Sequence, residues 1–130
     1  MILLDTNVLI RIEHVKLPAE EVALSALSYA ELRFGIERTP SLRVRRERQL
    51  ELASVTELLQ ADWLPFDQVA ADSYARLAAQ VAKQRPAHAR STDIMLAGHA
   101  AALGARVFTF NTKDFELVSD LVEIVVPELR

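Results

Sequence analysis

Short apolar runs alternate along this chain with longer segments in which apolar residues recur at helical spacing. Five runs have the length and the apolar content of strands: residues 2–4, 22–25, 63–66, 105–110 and 122–126. Pro65 interrupts the third run and therefore favours an edge strand there. Strands that alternate with helices predict an α/β fold in which a central parallel sheet is flanked by helices.

Polar residues and a glycine indicate where the predicted helices begin and end. Five helices are predicted, over residues 8–12, 28–36, 42–60, 67–84 and 93–103. Asp5 and Asp67 can cap the first and the fourth helix, and Ser28 with Glu31 has the spacing of a capping box for the second. Gly104 is typical of the position that follows a helix.

Composition narrows the class of protein. A chain of 130 residues, with 51% hydrophobic and 25% charged residues, is predicted to form one globular domain over residues 1–130. The absence of cysteine excludes disulfides, thiolate catalysis and zinc–thiolate sites, and it fits a reducing compartment. The N-terminus lacks the basic region of a signal peptide, and no stretch reaches the roughly 18 apolar residues of a membrane span. We therefore expect a cytoplasmic protein without a membrane segment.

Four acidic residues stand where a predicted strand or turn leads into a helix. They are Asp5, Glu31, Asp93 and Asp114. If their strands are parallel neighbours, all four carboxylates meet at the carboxyl edge of the sheet, where open α/β folds bind their ligands. Such carboxylates repel one another unless a cation offsets the repulsion. Mg²⁺, with Mn²⁺ as a substitute, is the ion whose oxygen ligands match this set.

The segments that carry these acids also carry a family resemblance. Residues 5–9 (Asp-Thr-Asn-Val-Leu), 28–32, 92–97 and 109–115 resemble, in order and spacing, the motifs of PIN-domain ribonucleases, specifically VapC-type toxins of type II toxin–antitoxin systems. The resemblance covers essentially the whole chain. It implies a three-layer sandwich around a parallel five-stranded sheet and endoribonuclease activity that depends on Mg²⁺ or Mn²⁺. It also implies a cognate antitoxin that folds around the toxin.

The resemblance assigns a catalytic role to each of the four acids and a metal-ligand role to Asp5 and Asp93. Simpler roles exist beside these. Asp5 can cap the first helix, Glu31 can be the reciprocal partner of Ser28, and Asp93 can interact with the dipole of its own helix. For Glu31 the capping role and the catalytic role can coexist.

The fourth position of the site has two candidates. Asn111 lies nearer the end of its strand but is neutral, whereas Asp114 brings charge and lies three residues further on. Asp114 can bind the ion directly or through water, and Asn111 can orient a water or a phosphate. The hydroxyls of Thr6 and Thr109 are suited to hydrogen bonds that support the acids, or to local backbone bonds.

Basic residues form two groups with different interpretations. The arginines of residues 43–48 form either a solvated helix face or a surface for phosphate or antitoxin. Lys83, Arg85 and Arg90 precede Asp93 closely, so we predict that they contact RNA phosphates at the rim of the site. The histidines do not form an obvious pair, which argues against a metal-independent mechanism with histidine as acid and base.

Apolar residues exceed what one buried face of each early helix requires. Ile10 and Ile12 in the first helix, with Phe34 in the second, predict a homodimer surface or a groove for an amphipathic partner helix. We expect a homodimer that also forms a hetero-oligomer with its antitoxin. The sequence does not specify the RNA, the cleavage position, the number of ions or the antitoxin.

Other classes of protein share part of this pattern. An aspartate-nucleophile phosphatase also begins with an aspartate after a strand but requires a second aspartate two residues later, where this chain has Asn7. A phosphorelay receiver domain requires an acidic pair near the first strand and a phosphoacceptor at the third, which residues 63–67 imitate poorly. A third alternative is a non-catalytic PIN-like scaffold that binds RNA or protein without cleaving it.

Overall fold

A parallel sheet forms the centre of the computed structural model, which describes residues 1–130. The strands are β1 (Ile2–Leu4), β2 (Val15–Lys16), β3 (Val22–Ser25), β4 (Trp63–Leu64), β5 (Arg106–Phe108), β6 (Ile124–Val125) and β7 (Glu128–Leu129). Five of them form one sheet in the order β4-β3-β1-β5-β6, with every neighbouring pair parallel. β2 and β7 form a separate antiparallel pair. The predicted five-stranded parallel sheet, with the third predicted run at its edge, is thus confirmed.

Five α-helices and two 3-10 segments connect the strands. The helices are α1 (Thr6–Ile10), α2 (Ala26–Glu37), α3 (Leu42–Leu59), α4 (Gln68–Ala82) and α5 (Thr92–Leu103), and the 3-10 segments cover Ile12–His14 and Thr112–Val118. Asp5 and Asp67 cap their helices as predicted, since each side chain accepts a backbone N–H from the first turn. Gly104 follows α5 with a φ of 67°, the left-handed conformation that glycine adopts without strain. None of the helices combines the length and apolar character that crossing a membrane requires.

The predicted start of the second helix is wrong. α2 begins at Ala26, and its N-cap is Ser25, whose Oγ accepts the backbone N–H of Leu27 at 3.0 Å. Ser28 is buried inside α2, and its hydroxyl has no hydrogen-bond partner. The reason is that β3 passes into α2 without a connecting loop, so the last strand residue is already the cap. Glu31 is therefore not part of a capping box.

Two apolar clusters fill the space on either side of the sheet. Successive residues of a strand point to opposite faces, and β1 is buried on both. Leu3 packs in the cluster that contains Leu77 of α4 and Ile94 of α5, whereas Leu4 packs with Val8 of α1 and Val55 of α3. The domain is therefore a three-layer sandwich with α4 and α5 on one side and α1 to α3 on the other.

α4 and α5 approach each other most closely at Gly98. A Cβ atom built on this residue would lie 2.4 Å from the Cα of Tyr74, a distance that backbone atoms do not tolerate. Glycine is thus required by space and not by backbone conformation. Because α5 carries Asp93 in its first turn, this contact also determines where that carboxylate lies.

Candidate metal centre

Strand register brings the ends of β1 and β5 together beneath the site. Leu4 pairs with Phe108, so the next residues along each strand, Asp5 and Thr109, are neighbours. The Thr109 hydroxyl donates to Asp5 Oδ2 at 2.8 Å, and the backbone N–H of Thr6 donates to Asp5 Oδ1 at 2.8 Å. Asp5 is only 6% exposed. Its carboxylate is therefore held in one orientation by groups from both strand ends.

Asn7 is a contributor to this site that the sequence interpretation missed. Its side-chain Nδ2 donates to Asp5 Oδ2 at 3.3 Å and to the Thr109 hydroxyl at 3.2 Å. Its side-chain oxygen, Oδ1, accepts the backbone N–H of Phe110 at 3.3 Å. Asn7 thus links the loop after β1 to the loop after β5. In the sequence, Asn7 stands out only because it lies two residues after Asp5, where a phosphatase would need a second acid.

A second group of side chains converges from the other side of the site. One ligand atom each of His88, Asp93 and Asp114 lie within 4.8 Å of one another. Asn111 is exposed and donates its side-chain amide to Asp114 Oδ2. Of the two candidates for the fourth position, Asp114 therefore belongs to the acid cluster and Asn111 orients it. His88 was not among the predicted site residues.

The acids influence one another electrostatically. The pKa of Asp93 is raised from 3.8 to about 6 by burial and then by the negative charges of Asp5 and Asp114. The pKa of Glu31 is raised because its carboxyl is partly shielded from water and lies near the charges of Asp5 and Asp93, although the residue as a whole is exposed. Burial raises the pKa of Asp5, and the hydrogen bonds from Thr109 and Thr6 oppose the rise. Asp5, Glu31, Asp93 and Asp114 thus lie near enough for their charges to interact.

The donor set fits a divalent cation. Carboxylate oxygens predominate, and their mutual repulsion is of the kind that a bound cation relieves. The hydroxyl of Thr6 is buried without a hydrogen-bond partner, and Thr6 and Glu31 line the same groove. A buried hydroxyl normally has a partner, and a water held by a cation would provide one. Thr6 already serves two of the acids, since its backbone N–H donates to Asp5 and its side chain lies near enough to Glu31 to lower the pKa of that carboxyl.

The two basic groups differ in their surroundings. Arg43 forms an ion pair with Glu47 at 2.8 Å, and Arg45 donates to the Glu37 carbonyl at 2.8 Å at the end of α2. Arg45 therefore links α3 to the end of α2, whereas the ion pair of Arg43 lies within α3. The second group is exposed and takes part in no ion pair: Lys83, Arg85 and Arg90. It lies in the segment between α4 and Asp93, and its charges face solvent.

The raised pKa of Asp93 predicts how the stability of the metal-free protein changes with pH. Because its folded pKa of about 6 exceeds the unfolded value of 3.8, its contribution to stability is fully present below pH 3.8 and is lost as pH rises through about 6. We expect the free energy of unfolding in chelator to fall over this interval in the wild type, and to fall less in Asp93→Asn. Denaturant titrations of both proteins at a series of pH values measure the difference. A difference that is constant with pH would contradict the raised pKa.

Comparison with known proteins places this geometry in a family. The PIN domain family model matches residues 2–121. The VapC ribonuclease Y4jK of Sinorhizobium fredii (strain NBRC 101917 / NGR234) is 36% identical over 128 residues, which cover 89% of this chain and 91% of the relative. The chain therefore belongs to the PIN domain family. Within that family it is a VapC-type protein.

Solved structures agree with this assignment. VapBC2 from Rickettsia felis, bound to a DNA fragment from its promoter, matches with a TM-score of 0.77 and 21% identity over 98% of this chain and 100% of that chain. FitAcB from Neisseria gonorrhoeae matches with a TM-score of 0.73 and 27% identity over 97% of this chain and 96% of that chain. The first match, at its low identity, supports the fold alone. Family membership removes the phosphatase and the receiver domain from the alternatives.

Proposed function

We propose that this protein is a metal-dependent endoribonuclease and the toxin of a type II toxin–antitoxin pair. The observation that carries the proposal is the convergence of Asp5, Asp93 and Asp114, with Glu31 beside them, at the carboxyl edge of the sheet. The similarity to a VapC ribonuclease over most of both chains supports it. The non-catalytic scaffold is the remaining alternative, and the site retains every acid that cleavage would need.

Asp5, Asp93 and Asp114 would hold the ion, Mg²⁺ or Mn²⁺ in our proposal. When bound, such an ion supplies an activated water and stabilises charge on the phosphate and on the leaving oxygen. Thr109, Asn7 and the backbone of Thr6 hold the Asp5 carboxylate ready in its ligand orientation. Glu31, exposed beside the other acids and with a raised pKa, is the group suited to accept a proton from the attacking water.

The substrate is expected to meet the exposed turn before α5. Lys83, Arg85 and Arg90 have no acidic partners there, so their charges are available to phosphate oxygens. Contacts of this kind position the backbone of a nucleic acid without reading its bases. RNA shape and the exposure of a loop would then decide where cleavage occurs. A substrate RNA and an antitoxin would both be met in the cytoplasm, which is the localisation that we propose.

A groove between α1, α2 and α3 is the proposed antitoxin site. Its volume is about 410 Å³, and its lining is largely apolar, with Leu9, Ile10, Leu32, Ile36, Leu52 and Val55. Thr6 and Glu31 also line it, so an amphipathic helix in the groove could extend a basic side chain to the acids. Inhibition would then be both steric and electrostatic. VapBC and FitAB assemblies among the structural neighbours are consistent with such a partner.

Apolar residues outside this groove support a homodimer. Val69, Leu121, Val126 and Leu129 are each more than half exposed. Contiguous apolar surface is typical of association sites, and these residues would contribute to such a surface. We therefore propose a homodimer that binds antitoxin to form a hetero-oligomer, and sedimentation of the protein with and without antitoxin measures both states.

Cleavage of RNA by the purified protein tests the function directly. Structured RNA should be cut internally when Mg²⁺ or Mn²⁺ is present, left intact in chelator, and protected when the antitoxin is added. Metal binding and RNA binding without any cleavage, over a range of structured RNAs, would favour the non-catalytic scaffold instead.

Gly35 allows the antitoxin groove to be blocked selectively. This residue lines the groove, and a Cβ atom added to it would meet nothing within 4 Å. Gly35→Leu is expected to weaken antitoxin binding about tenfold or more, because the added side chain occupies space that the partner helix would fill, and overpacking of this kind costs about 1–3 kcal/mol. RNA cleavage without antitoxin should persist. Calorimetric titration of antitoxin measures the effect, and Gly35→Ala is the matched control. Equal affinities of the Leu and Ala variants would place the antitoxin elsewhere.

A further inference from the structure

His88 is held firmly in the turn between α4 and α5. Its backbone N–H donates to the carbonyl of Arg85 at 3.0 Å, and its own carbonyl accepts the N–H of Ser91 at 3.0 Å. The next residue, Ala89, is 5% exposed and belongs to the apolar core. The backbone that carries the imidazole is therefore fixed by hydrogen bonds on both sides and by a buried neighbour.

The ring of His88 is oriented by the chain segment that carries Asp114. Nε2 lies 2.8 Å from the backbone carbonyl oxygen of Asp114. A carbonyl oxygen only accepts hydrogen bonds, so Nε2 carries the proton and donates it. In the neutral ring, Nδ1 then has a free lone pair. Histidines that bind metals commonly show this arrangement, in which one ring nitrogen donates to a carbonyl and the other binds the ion.

The imidazole ring of His88 lies close to two of the acids. A ring nitrogen of His88 lies within 4.8 Å of a carboxylate oxygen of Asp93 and of Asp114, a separation that one ion can bridge. We propose that His88, through Nδ1, is a nitrogen ligand of the metal ion that Asp93 and Asp114 hold. The inference rests on the proposed metal site of this protein, and it changes that site from an all-oxygen set to a mixed one.

A mixed donor set alters which ion is preferred. Mg²⁺ favours oxygen ligands and binds imidazole poorly, whereas affinity for nitrogen donors rises from Mn²⁺ to Co²⁺ and Ni²⁺. The site is therefore expected to bind Mn²⁺, and still more Co²⁺, in preference to Mg²⁺. Without the imidazole, this preference should shrink towards that of carboxylates alone.

Two substitutions separate metal binding from the structural role of the ring. His88→Gln places an amide N–H near the position of Nε2, so the bond to the Asp114 carbonyl can persist while Nδ1 is lost. His88→Ala removes both groups, and His14→Gln is the control at an exposed histidine in another part of the chain. Calorimetry measures the dissociation constants for Co²⁺, Mn²⁺ and Mg²⁺, and melting in chelator reports the fold. We expect His88→Gln to weaken Co²⁺ and Mn²⁺ at least about tenfold, with little change for Mg²⁺ or for the melting temperature.

Spectroscopy of the wild type tests the ligand without any variant. Pulsed electron paramagnetic resonance of bound Mn²⁺ should show coupling to a histidine nitrogen, and labelling histidine with ¹⁵N should change that coupling. The absence of nitrogen coupling in the wild type would overturn the proposal, as would equal loss of Mg²⁺ and Mn²⁺ affinity in His88→Gln. Cleavage of RNA without nitrogen coupling removes only this inference. Nitrogen coupling without cleavage leaves the ligand in place and removes only the proposed nuclease.

Discussion

Asp93→Asn is expected to reduce metal-dependent RNA cleavage at least about 100-fold while the fold is retained. Removal of groups that merely support a metal ligand already costs 10- to 100-fold, and Asp93 is proposed as a ligand itself. The substitution keeps the shape of the side chain and removes one of the charges that an ion would neutralise. Asp5→Asn should have a similar effect on cleavage. Rates of RNA cleavage in Mg²⁺ and in Mn²⁺ measure both variants.

Asp72→Asn is the matched control for these measurements. Asp72 is an exposed aspartate of α4 and lies outside the acid cluster. Its replacement should leave cleavage unchanged, and loss of cleavage in Asp93→Asn purified in the same way excludes a contaminating nuclease as the source of the signal. Cleavage near the wild-type rate by purified Asp93→Asn would remove this residue from the proposed site.

Gly98→Ala is expected to lower the free energy of unfolding by about 1–3 kcal/mol or more, because the added methyl group overlaps the backbone of Tyr74 in α4. The two helices must separate, and the position of Asp93 then shifts as well. Denaturant unfolding monitored by circular dichroism measures the change, with the slope against denaturant concentration reporting whether the transition is still two-state.

The same substitution at Gly35 has the opposite expected sign. Gly35 lies in α2 with open space around its Cα, so an added methyl group meets nothing. Alanine is the better helix former by about 0.8–1 kcal/mol, so Gly35→Ala should stabilise the domain. Destabilisation by both variants, of similar size, would show that the contact between α4 and α5 is not the cause at Gly98.

Most of the fold was predicted from the apolar runs and from the polar residues at their ends. β1, β3 and β5 are buried central strands, so their apolar character is strong, and the acids that follow them or their helices could be located. β2 and β7 were not predicted, because each has two residues and no apolar pattern. The capping box failed because Ser25 and Ser28 both precede helical residues, and only the sheet determines which one ends the strand.

The sequence offered candidate acids by residue type, but it did not indicate how the side chains are arranged. Asp5, Asp93 and Asp114 follow recognisable motifs, whereas the contact of His88 with Asp114 joins residues 26 positions apart through the packing of a turn on a 3-10 segment. In the sequence, His88 is one basic residue among several neighbours. Asn7 likewise acquires its role only when β1 and β5 lie side by side.

The strand order has a consequence for how the protein is made. Asp5 is synthesised long before the hydroxyl that orients it, which belongs to Thr109, 104 positions later, and β5 must pair with β1 to bring the two together. A nascent chain that lacks the last quarter of the sequence therefore has no assembled acid cluster. Contacts of such long range are also slow to form. Synthesis must thus pass Asp114, and β5 must pair with β1, before the acids can lie together.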